Sequence, residues 1–179
     1  MDSLYRQQKA DKPAIEDVIP ECLDGEARKL ALDIAAFLRA NRMSPTWASW
    51  NSWKSSYKGK GISYIKLLPD TNTYKWAVDI LPLDRHKYED WVCSEGLVDK
   101  FTEKPWYCHG CGRPAGESCG GRRDFTVNGR EIKGVCGHNF MKFICDPGVE
   151  TVDGIKRFLE SEKAERMRSN SNDKRFQLY

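Results

Sequence analysis

Seven cysteines punctuate the chain, and three of them, Cys108, Cys111 and Cys119, fall in the run WYCHGCGRPAGESC. Two residues between Cys108 and Cys111 let both thiolates face one ion, and Gly112 relieves the backbone where amide groups approach the sulfurs, as in metal-binding knuckles. Cys119 and Cys136 complete a tetrahedral set, with His109 and His138 as substitutes. Four protein ligands leave no open position, so a zinc ion held there would be structural, and its binding energy would count as folding energy. Two other readings stay open. Unligated cysteines pack as small hydrophobes, and a redox or reactive C-x-x-C pair calls for a helix start, which Gly110, Gly112 and Pro114 oppose.

Trp47, Trp50, Trp53 and Tyr57 recur at spacings of three, three and four after Ser44-Pro45. The stripe fits a short helix. Asn51, Ser52, Ser55 and Ser56 are poor helix formers, however, and suit an irregular loop entering a strand as well. Four large aromatics either pack a core or offer faces on which planar or cationic groups stack. With Lys58, Tyr64 and Trp76 they are the expected lining of a pocket for a small aromatic or amphipathic molecule, and Lys54, Lys58 and Lys60 could neutralise its phosphate or carboxylate. The basic aromatic segment 42–66 also suits a nucleic-acid or protein partner, with bases stacking on rings while lysines follow a phosphate backbone. YKGKG lacks the spacing of a phosphate-binding loop. No G-x-S-x-G, H-E-x-x-H or G-x-G-x-x-G motif is present, and His86 in DRHKYED falls on an exposed helix face, so no catalytic residue is assigned.

These residues need elements to hold them. Asp24 precedes Ala27, Leu30, Ala31, Ile34, Ala35 and Leu38, a 3.6-residue period that predicts an acid-capped amphipathic helix. GISYIKLL (61–68) and TYKWAVDIL (73–81) read as a hairpin around PDTN. Tyr88, Trp91 and Val92 predict a helix over 84–93, with a second short one over 95–101. Residues 105–121 have loop composition, five glycines and two prolines among them. Asn128-Gly129 predicts a second hairpin, because both residues accept positive φ. A strand over 140–145 follows, then a helix from Val149 to Lys163 entered through Asp146 and Pro147. Strands come in adjacent pairs, which predicts an α+β fold: a mostly antiparallel sheet of about five to six strands with helices on one face.

The chain is 179 residues long, 40% hydrophobic and 31% charged, the composition of one globular domain. The expected division is a polar segment 1–20, a single domain 21–165 carrying the cysteine-rich loop, and a polar tail 166–179. Apolar stretches such as Leu30 to Leu38 end well short of the ~20 residues a membrane span needs. The first twenty residues show no apolar signal core, so a cytoplasmic setting with thiols or metal ligands rather than disulfides is expected. The formal net charge of +3 is unevenly spread. Residues 1–25 carry six acids and three bases, whereas 41–66 carry five bases and no acid.

The run NSWKSSYKGKGISYIKLL resembles small uncharacterised bacterial proteins in which a Trp-Lys and Tyr-Lys-x-Lys-Gly segment leads into a strand. WYCHGCG through VCGHNFMKFICDP resembles the C-terminal part of uncharacterised clostridial-type proteins ending in a similar hairpin, strand and helix. The resemblance spans about half the chain and implies a compact α+β domain of bacterial type. It carries no residue roles.

Overall fold

The computed structural model describes residues 2–68, 74–99, 122–127, 129–136 and 143–176. In chain order the elements are α1 (Asp2–Asp11), α2 (Ile15–Cys22), α3 (Gly25–Ala40), β1 (Pro45–Ser49), β2 (Ser52–Tyr57), β3 (Lys60–Leu67), β4 (Trp76–Ile80), α4 (Arg85–Ser94), β5 (Arg122–Val127), β6 (Arg130–Cys136), β7 (Phe143–Cys145) and α5 (Val149–Phe176). This is the α+β fold the sequence predicts. The strands form a five-stranded sheet in the order β1-β2-β3-β4-β7 and a separate β5-β6 hairpin. Contacts divide the chain into two compact units, residues 1–85 with 145–179 and residues 86–144.

In the first unit β1, β2, β3 and β4 pair antiparallel in sequence. Alternation puts Trp53, Ile65 and Val78 on one face, where they meet in register and are essentially sealed from solvent. That face receives α2, α3 and α5, whose apolar stripes (Ile15, Ile19; Ile34, Leu38; Ile155, Leu159) are fully buried. Burying each such side chain contributes roughly 1.5–3 kcal/mol, and this drives the helices onto the sheet.

Two segments read as polar ends are structural. α2 begins within 1–20 and supplies Ile15, Val18 and Ile19 from that stretch to the core. α5 runs well past Lys163, and its Arg166 is 3% exposed. Arg166 Nη1 donates to Glu162 Oε2, Nη2 donates to the carbonyls of Leu81 at 2.7 Å and Gly61 at 3.2 Å, and Glu162 Oε2 also accepts from the Leu83 amide at 3.0 Å. A buried ion pair survives only when its remaining lone pairs and protons find partners, and here backbone groups at the ends of β3 and β4 supply several of them. Asp146 also departs from its expected part. Its carboxylate accepts from the amides of Lys75 at 2.9 Å and Trp76 at 3.0 Å. It therefore holds the start of β4 instead of capping α5, whose first turn closes through Val152 N to Gly148 O at 2.9 Å.

In the second unit β5 and β6 pair antiparallel from Arg122↔Cys136 to Val127↔Arg130, and Gly129 has the positive φ (75°) the expected turn demands. A bulge between Arg123 and Phe125 frees Asp124, whose Oδ1 accepts from Gly134 N at 2.8 Å. On α4 the rings of Tyr88 and Trp91 stand 5.6 Å apart.

Candidate functional site: a cleft between two helices and a strand turn

The residues from Trp47 to Tyr57 form no helix. They make the β1-β2 hairpin, in which Trp47 faces Trp53 across the pair, because aromatic cross-strand packing outweighs the weak helical tendency of the intervening serines. The turn closes at Asn51, φ +46°, a conformation asparagine tolerates better than most residues.

The seven residues expected to line one pocket are thereby parted. Trp53 is 0% and Trp76 1% exposed. Both belong to the core, and Trp53 Nε1 donates to the Pro13 carbonyl at 2.9 Å. Tyr57 is buried too, while Lys58 stands exposed on the turn after it. Tyr64 pairs with Lys54 and Asp79 on the sheet face opposite Trp53. Trp47, Trp50 and Tyr64 keep partial exposure, the first two near the β1-β2 turn.

That turn borders a cleft of about 560 Å³. α1 supplies Gln7, Gln8 and Asp11, α2 supplies Asp17, Val18, Glu21 and Cys22, and the turn supplies Trp50 and Asn51, with Pro13 at the base. The spacing of α2 explains its share: Asp17 with Glu21 and Val18 with Cys22 are i, i+4 pairs on one helix face. Gln8 clasps the upper wall to the turn. Its Nε2 donates to Asn51 Oδ1 at 2.8 Å, and its Oε1 accepts from Asn51 N at 3.1 Å and Trp47 Nε1 at 3.3 Å. Among the described residues lining the cleft three are acidic and none is basic. The cleft is thus an acidic chamber with an indole wall.

A smaller cleft of about 380 Å³ shares Glu21 and Cys22 and extends toward Arg28 and Lys75. Arg28 is committed to the end of α2, donating from Nε to Leu23 O at 2.7 Å and from Nη2 to Pro20 O at 2.9 Å. Lys75 pairs with Asp24 at 3.3 Å. On another side of α2, Arg39 grips Glu16 through the Nε and Nη2 edge of its guanidinium, with Nη2 donating to Oε2 at 2.7 Å. That hydrogen bond holds the Glu16 carboxyl below its ordinary range and raises the Arg39 guanidinium in turn.

Cys108, Cys111, Cys119, His109 and His138 lie outside the described residues, as does the Cys136 side chain; the Cys136 backbone ends β6. Among the described residues no group of His, Cys, Asp and Glu is placed to hold a metal. Burial, and then the Asp146 carboxylate, push the Cys145 thiol up to about 11, far from the low value a reactive thiol needs. His86 Nδ1 lies 3.8 Å from Glu89 Oε2 and is almost fully exposed, on the helix face where it was expected. No helix among the described residues is long and apolar enough to cross a membrane. No family model, curated protein or solved structure matches the chain.

Of the residues singled out in the sequence Trp50 borders the cleft, and the acidic wall was not among them. The usable signal was Ile15, Val18 and Ile19, spaced as one helix face, which turns the acids of 1–25 from a loose polar segment into the opposing face of a docked helix.

Proposed function

We propose that the first unit is a small-molecule-binding module whose ligand is amphipathic and cationic, held in the cleft between α1, α2 and the β1-β2 turn. The observation that carries this reading is the meeting of three carboxylates with the Trp50 indole in one concave space whose described lining includes no basic residue. An ammonium or guanidinium group is attracted both by the carboxylates and by an indole face. Val18 and Pro13 offer apolar surface to the rest of such a molecule, and Gln7, Gln8 and Asn51 offer amides for orientation. Of the seven residues expected in the lining, Trp50 borders this cleft, while Trp47, Trp53, Tyr57, Lys58, Tyr64 and Trp76 do not. A basic pocket for a phosphate or carboxylate thus gives way to an acidic one for an amine.

Tryptophan quenching by 2-phenylethylamine, set against 3-phenylpropionate of similar shape and opposite charge, tests the reading. The amine is expected to quench and the acid to leave the emission unchanged. Glu21→Gln, which keeps shape and removes charge, is expected to weaken the amine about tenfold, the equivalent of 1.4 kcal/mol. Equal responses to amine and acid, or silence from both, would overturn it.

For the second unit the structural zinc site of Cys108, Cys111, Cys119 and Cys136 is carried forward as part of the same proposal. One backbone observation favours it: Cys136 pairs with Arg122, which is three positions after Cys119 in the sequence. Zinc analysis of protein purified without added metal tests it. Stoichiometric zinc, lost together with stability on chelation, is the expected result, and a metal-free protein of unchanged stability would contradict it.

A further inference from the structure

The opposite end of β2 carries a second arrangement of charge. β2 and β3 are joined by Lys58-Gly59, flanked by the pair Tyr57↔Lys60, and both turn residues have positive φ, 48° and 79°, as a type I′ hairpin requires. Glycine suits the second position. At the first, asparagine is favoured and lysine is strained, because a left-handed backbone crowds its β-carbon. Strain of this kind persists where a side chain is needed in place.

What the strained residue positions is an ammonium group. Lys58 Nζ stands 5.6 Å from the centroid of the Tyr57 ring. A second ammonium, Lys163 Nζ from α5, reaches the same ring at 5.6 Å and donates to Asn41 Oδ1 at 3.2 Å. Lys60, directly across the strand pair from Tyr57, projects from the same face. Among the described residues no carboxylate pairs with Lys58, Lys60 or Lys163. Glu162, the neighbour of Lys163, is sealed at 2% exposure against Arg166 and the Leu83 amide.

Two ammonium groups over one ring, with a third lysine across the strand pair and no carboxylate paired to any of them among the described residues, repel one another. An oxyanion between them removes the repulsion and accepts charge-assisted hydrogen bonds from each. We propose that Lys58, Lys60 and Lys163 bind a phosphate-bearing small molecule at the β2-β3 turn, at a site separate from the acidic cleft. It stands on different residues from the amine site and survives or fails without it.

Calorimetric titration with pyrophosphate at low salt is the test, on the wild type, Lys58→Asn and Lys163→Met. The wild type is expected to bind, more weakly as salt rises. Lys58→Asn creates the Asn-Gly pair the turn prefers, so its melting temperature should equal or exceed the wild type's while affinity falls at least tenfold. Lys163→Met should lose a similar factor. No binding by the wild type, or a Lys58→Asn protein that binds as well, would overturn the site. A single-stranded oligonucleotide that binds far more tightly and displaces pyrophosphate would overturn the assignment to a small molecule.

Discussion

The two ends of strand β2 are turned by similar means and surrounded by opposite charge. At one end Asn51, and at the other Lys58, adopts a left-handed backbone, with φ of 46° and 48°. Asn51 is 5% exposed and clasped by Gln8, a residue suited to its conformation and satisfied in its bonds. Lys58 is exposed, strained, and held over a ring. Asp11, Asp17 and Glu21 line the cleft beside the first turn, while lysines gather at the second. A single short strand thus separates an acidic recess from a basic rim, and the local backbone alone would not distinguish them. The side chains that helices α1, α2 and α5 bring to each end make the difference.

The basic end rests on a sealed ion pair and the acidic end on an ordinary amide clasp, so damage should be unequal. Arg166→Met leaves Glu162 buried and unmatched, with the carbonyls of Gly61 and Leu81 bereft of their donor. A loss of about 3–5 kcal/mol in urea unfolding is expected. Adding Glu162→Leu should restore part of it. The tryptophans sharpen the contrast between core and site. Trp53→Ala should cost about 3–5 kcal/mol, as for other fully buried rings, whereas Trp50→Ala should cost less than about 1 kcal/mol and abolish the amine response. Gln8→Ala removes three hydrogen bonds from the wall of the cleft. About 1–2 kcal/mol should be lost, with faster amide exchange in α1 than in α3.

The smallest effect is the Glu16 to Arg39 pair. The carboxyl of Glu16 titrates lower in the folded chain than its ordinary value of 4.5. Its contribution is therefore complete above that ordinary value and disappears as pH falls through the lower folded one. Because both groups are part-exposed, about 0.5 kcal/mol is expected. Glu16→Gln should flatten the acid limb of the stability profile by that amount and no more.

Much of the fold was legible because periodicity reports burial. The stripe from Ala27 to Leu38, the hairpin into β4 and the β5-β6 hairpin with Gly129 at its turn each have one strong local signal that tertiary packing does not oppose. The aromatic run 47–57 was ambiguous because a spacing of three suits a helix, while the pairing of Trp47 with Trp53 depends on a turn at Asn51 that only packing reveals. The candidate site was harder to see. Trp50 is identifiable as an aromatic near polar residues, but Gln8 and Glu21 acquire meaning only when α1 and α2 fold back beside a turn some 30 to 43 residues away. The ion pair of Arg166 lay hidden in a segment whose composition resembles a solvated tail.

Indole nitrogen-proton resonances of nitrogen-15 labelled protein, followed during titration with 2-phenylethylamine, interrogate the acidic recess most directly. The Trp50 signal should move the most, with Trp47 following through its bond to Gln8, while Trp53 and Trp76 stay in place. Shifts led by Trp53 or Trp76, or a spectrum that does not change, would contradict the assignment of that recess as the ligand site.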